Sequence, residues 1–98
     1  MASSKDYLIY VLELLREVTA ISYKKMMGEY IIYKKDVVVG GIYDNRFLIK
    51  KCPYSDSLKL KEVIPYPSSK GLYLLDSEDP DEIKEIIDRV YIDLVNKS

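Results

Sequence analysis

Lys25, Glu29 and Tyr30 bracket the stretch Met26-Met27-Gly28. An amine, a carboxylate and a phenol this close in sequence are side-chain types that could serve proton transfer in a small histidine-free enzyme. The same residues also fit a turn with a strand on either side. In that reading Met26 or Met27 fills core space, Gly28 marks a bulge or tight approach, Glu29 offsets neighbouring lysines and Tyr30 opens the next strand. The turn is the expected role. A sharper version makes the stretch a partner-docking edge, where Met27 and Tyr30 offer adaptable apolar contact and Lys25 and Glu29 set orientation.

Absences narrow the chemistry further. The chain has no histidine and a single cysteine. That removes the commonest general base, the Ser-His and Cys-His nucleophile pairs and the commonest transition-metal ligand. Any metal site would have to be nearly all carboxylate, suited to magnesium or calcium. Eight acids crowd residues 76–93, but they lack the spacing and glycine pivot of a calcium loop. Acids at a helix start are what the helix dipole favours, so capping is their expected role. Cys52 has Lys50 and Lys51 beside it but no histidine-type base, and is expected to be a structural thiol. Gly40-Gly41 lies inside a strand pattern and opens no helix, so it is not a phosphate loop. No catalytic residue, cofactor, metal or small-molecule substrate is expected.

Lysines interleaved with tyrosines can bind single-stranded nucleic acid by stacking and charge. Residues 1–50, however, hold eight basic and six acidic residues, a thin surplus for a phosphate groove. Direct nucleic-acid binding is not expected; strand-end lysines that guard sheet edges are. The formal net charge of −1 gives the whole molecule no electrostatic pull toward anionic partners. The N-terminal stretch MASSKDYLIYVLELLREV carries charges within its apolar run, unlike a leader or a membrane span. One free thiol in 98 residues fits a reducing cytoplasm, and that length fits one domain over residues 1–98.

Elements must position these residues. Ser3 or Ser4 can cap a first helix, and Leu8, Val11, Leu12, Leu15 and Val18 form its apolar face. The β-branched run that follows ends it near Thr19. Four short strands are expected over 23–27, 30–34, 37–43 and 46–50, separated by Gly28, Lys35-Asp36 and Asp44-Asn45. A short helix capped by Ser55 or Ser57 follows over 55–63, then a loop over 68–71 and a fifth strand over 72–75. Asp79-Pro80-Asp81-Glu82 signals the last helix, with a reciprocal box between Asp79 and Glu82. The order is α-β4-α-β-α: an α+β domain with a five-stranded antiparallel sheet, two long amphipathic helices and a short one.

Strands 30–34 and 37–43 are apolar on both faces, and two helices cover only one. The other face should carry Tyr and Val surface that needs a lid, a second subunit or a ligand.

From Tyr23 to Lys50 the sequence resembles the N-terminal domain of the TfoX/Sxy competence-regulator family. The resemblance lies in the order of a Ser-capped helix, Tyr23-Lys24-Lys25-Met26-Met27-Gly28-Glu29-Tyr30, Val37-Val38-Val39-Gly40-Gly41-Ile42-Tyr43, the Asp44-Asn45 turn and Arg46-Phe47-Leu48-Ile49-Lys50. Gly71-Leu72-Tyr73-Leu74-Leu75 and the closing acidic helix extend it over nearly the whole chain. The resemblance implies a fold like the type III secretion chaperones and a role in competence-type transcription. It implies no catalytic residues, and no counterpart of the second helical domain of the full-length regulators is expected. The resulting expectation is a cytoplasmic, non-enzymatic interaction module. Its partner is a protein or its own copy, met through Lys25, Met27, Gly28, Glu29, Tyr30, Tyr33 and Tyr43. An accessory transcriptional regulator is the alternative.

Overall fold

The computed structural model describes residues 3–96 apart from 66, 68 and 69. Three helices and a six-stranded antiparallel sheet follow in the order α1 (Lys5–Leu14), β1 (Ile21–Met26), β2 (Glu29–Lys34), β3 (Val37–Ile42), β4 (Phe47–Ile49), α2 (Pro53–Ser57), β5 (Glu62–Val63), β6 (Leu72–Leu74) and α3 (Pro80–Asn96). Among the described residues no helix is long and apolar enough to cross a membrane.

Turn chemistry wires the first four strands. Met27 and Gly28 (φ 52° and 83°), Lys35 and Asp36 (49° and 66°), and Asp44 and Asn45 (53° and 55°) all have positive φ. Two-residue loops with both residues left-handed are type I′ turns, whose twist matches that of the strands they join. The three turns therefore fold β1 to β4 into a meander, each strand beside its sequence neighbour. The sheet order is β1-β2-β3-β4-β6-β5, so the last hairpin enters with β6 against β4.

A bulge sits in the middle of this meander. Ile32 pairs with Gly40 but Tyr33 pairs with Val38, which leaves Val39 as the extra residue. An extra residue breaks the two-residue alternation and bends the strand. This is why β3 is buried without interruption from Val39 to Ile42. Gly40 meets β4 so closely that an added Cβ would lie 2.2 Å from the Leu48 carbonyl oxygen.

One face of the sheet carries Tyr30, Ile32, Ile42 and Ile49, packed with Val11 and Leu15 from the N-terminal segment and Ile83, Ile87 and Val90 from α3. Ser4 caps α1, its Oγ accepting from the Tyr7 amide at 3.1 Å. The helix stops at Leu14, earlier than the expected Thr19. Leu15 and Val18 keep the apolar pattern and are buried, but tight turns carry them toward Ala20, whose φ is 61°. Apolar periodicity thus outlasts the helix that began it.

The middle segment corrects the sequence reading most. The helix expected over 55–63 is only Pro53–Ser57, and Cys52 takes the N-cap position. Ser55 Oγ accepts from the Cys52 amide at 2.8 Å and donates to the Lys50 carbonyl at 2.9 Å, so this serine closes the box from inside the helix. Lys59, at φ 57°, reverses the chain, and Glu62–Val63 then pairs with β6 as a sixth strand. Two residues are too few to show an alternation, and the five-strand expectation missed them for that reason. Of the loop expected over 68–71, Ser68 and Ser69 lie outside the described residues.

α3 begins as expected, with Pro80 first and Asp79 Oδ1 accepting from the Asp81 amide at 3.0 Å. The return half of the box differs: the Asp79 amide donates to Ser77 Oγ at 3.2 Å, not to Glu82.

Candidate interaction surface

Glu29 begins β2 with its carboxylate turned toward the chain's own start. Its oxygens accept from the Ser3 amide at 3.0 Å, from Ser3 Oγ at 2.5 Å and from the Asp44 amide at 3.2 Å. Ser3 Oγ in turn accepts from the Asn45 amide at 3.0 Å, and Asn45 Oδ1 accepts from the Ser4 amide at 2.9 Å. One carboxylate thus fastens the N-terminal segment to the β3–β4 turn. Its hydrogen-bonding capacity goes into architecture.

Tyr30 is next along the strand and points the other way, as alternation requires. It is 6% exposed, inside the core, with its ring edge-on to Tyr23 at a centroid distance of 6.0 Å. Tyr30 therefore does not share an exposed surface with Tyr33 and Tyr43, and consecutive strand positions set it on the face opposite Glu29. Lys25 pairs across from Tyr30 and is exposed. The trio that could have served proton transfer is split between a staple, a core ring and a solvated amine.

The sheet face away from the helices is partly sheltered. Leu48 is 0% exposed there, and the Tyr43 ring lies over Gly41, where an added Cβ would approach Cε2 to 2.6 Å. Pro65 and Lys70 line, with Val38, Tyr43, Lys50 and Leu72, an open cleft of about 170 Å³. Ile31, Tyr33 and Val38 are half-buried. The bare apolar face expected from the strands is thus half closed by the chain itself.

Larger exposure lies at the β1–β2 hairpin. Met27 is 96% exposed at the tip, with Met26 at 46% and Tyr23 at 48% beside it. Every residue of β1 from Ser22 to Met26 is exposed, and among the described residues β1 ends the sheet with only β2 at its side. Among the described residues, Lys24 and Lys25 form no ion pair. The opposite edge differs: β5 has two residues, and Glu62 there holds Lys51.

No protein-family model matches the chain, and none of the curated proteins compared with it matches either. The geometry of the molecule itself therefore carries the functional reading.

Sequence reasoning missed Lys34. Only 5% exposed, it reaches along the core face to donate to the Thr19 carbonyl at 2.9 Å and Thr19 Oγ1 at 3.2 Å, and pairs with Asp88 at 3.5 Å. Its ammonium also lies 5.6 Å from the Tyr91 ring centroid. Strand alternation was the available signal, because position 34 shares a face with Tyr30 and Ile32. Cys52, expected to be structural, is buried, its Sγ 3.5 Å from Ser55 Oγ.

Beside the short edge, Tyr73 donates its phenol proton to Asp56. That hydrogen bond, with burial and the nearby carboxylates, pushes the phenol from 10.0 up to about 12. A raised pKa means that folding favours the protonated ring, so this contribution to stability is complete below pH 10 and is lost as pH rises toward 12. Ultraviolet titration should show Tyr73 ionising late among the ten tyrosines, and Asp56→Ala should move it back toward 10. An unchanged late phase in that variant would refute the assignment.

Proposed function

We propose that this domain is a small, non-enzymatic protein-interaction module of the TfoX N-terminal type, acting in the cytoplasm and meeting its partner at the β1–β2 hairpin. One observation carries the reading. Met27 sits almost wholly in solvent at a left-handed turn position, where a methionine pays twice. A left-handed residue with a Cβ costs about 1–2 kcal/mol, and Asn-Gly is the pair that this turn prefers. Stability alone favours a different residue here. Exposed thioethers adapt to varied apolar surfaces, which is the property a docking tip needs.

Met27→Asn should raise stability by about 1 kcal/mol, because asparagine tolerates the turn and no packing is lost. The same change, combined with Met26→Ser, should abolish retention of the partner in affinity capture from native lysate. A more stable variant that still retains the same protein would sink the reading. The accessory transcriptional role remains tied to the family resemblance; a captured transcription component would support it.

A further inference from the structure

We infer that β1 accepts an extended, acidic segment of another polypeptide as a seventh strand. This rests on the reading of the hairpin as the docking end and names the chemistry of what docks.

Three features of β1 meet in one place. It is six residues long and exposed over Ser22–Met26, with no strand on its outer side among the described residues. An edge of this length offers a row of backbone donors and acceptors for an incoming strand. Lys24 and Lys25 are consecutive, so alternation sends one ammonium to each face of the sheet. Neither is neutralised within the described chain. On either side of them stand the exposed Tyr23 and Met26.

The complement of Tyr23-Lys24-Lys25-Met26 is an apolar-acid-acid-apolar run in extended conformation. Directly opposed residues across an antiparallel pair share a face, so each carboxylate of that run meets one lysine. The flanking apolar residues cover Tyr23 and Met26.

A second copy of β1 fits poorly, because self-pairing brings four lysines along one seam and like charges there repel. Nor can another part of a second copy supply the run. The adjacent acids of this chain are Glu78-Asp79 and Asp81-Glu82, and they are tied to the start of α3. Edge lysines also discourage aggregation, and the same two charges select an acidic strand over a neutral one.

The test uses the full chain and the synthetic peptide Thr-Val-Glu-Glu-Val-Thr with blocked ends, followed by amide resonances and hydrogen exchange. The expected result is chemical-shift change and slower exchange concentrated in Ser22–Met26. Lys24→Glu with Lys25→Glu should weaken this peptide about tenfold and gain a similar factor for the Lys-Lys version. Both positions are exposed, so the variant keeps its fold. A peptide with N-methylated backbone amides should bind neither form. Shifts confined to Ile31, Tyr33 and Val38 would overturn strand addition yet leave a docking module. No response up to the solubility limit, or a protein dimer lost in the same double variant, would overturn it as well. The module reading itself stands or falls separately on the Met26 and Met27 capture experiment.

Discussion

Gly40→Ala should lower the thermal midpoint by about 15 °C, equivalent to roughly 3 kcal/mol in a domain of this size. The added carbon would sit 2.2 Å from the Leu48 carbonyl oxygen and 3.1 Å from the Ile49 Cα, both fixed by the pairing of β3 with β4. Backbone cannot rotate away as a side-chain tip can, so the two strands must separate at the centre of the sheet. Gly71→Ala provides the contrast. Its nearest neighbour is the Glu62 carboxylate at 2.2 Å, an exposed and movable group, and the loss there should stay below about 1 kcal/mol. Equal midpoints for the two variants, measured by calorimetry, would show that the close approach at Gly40 is not what constrains the sheet.

Glu29→Ala should destabilise by about 2 kcal/mol. It strips a charged acceptor from the amide and hydroxyl of Ser3 and from the amide of Asp44, and hydrogen bonds to ionised groups are the stronger kind. The effect should reach beyond β2. Ser3 and Ser4 form the entry to α1, so amide exchange should accelerate at Tyr7 as well as at Asp44. An unchanged denaturation midpoint with unaltered exchange at both amides would remove Glu29 from its structural role.

Much of the architecture was legible because the chain states it locally. Lys35-Asp36 and Asp44-Asn45 are residues that mark turns, and each does form one. Asp79-Pro80 starts the last helix where capping chemistry says it should. Failures came where local signals compete or are too short. Leu15 and Val18 continue an apolar rhythm after the helix has already ended at Leu14. Glu62–Val63 is a strand because β6 pairs with it, a fact that two residues cannot announce.

The candidate surface divides in the same way. Met27 and Gly28 form the expected turn, but neither Met26 nor Met27 fills core space: both are exposed, and Gly28 is half-buried. Tyr30 shares its face with Ile32 and Tyr33 shares the other with Ile31, so strand alternation already separates two residues expected on one docking surface. Lys34 departs from the expectation that strand-end lysines guard sheet edges, because one residue of offset separates a buried ammonium from the turn at Lys35. Tyr23 and Lys24 gained their meaning only from the sheet order, which leaves β1 with a single neighbour.

The wiring of the sheet also sets a timetable. From β1 to β4 each partner lies one tight turn away, so contacts of short sequence separation can zip at little loop-closure cost. β6 must instead return from beyond α2 to reach β4, a pairing of longer sequence separation. The late-arriving half should therefore be the first to open when the molecule is stressed, while the N-terminal meander holds its register.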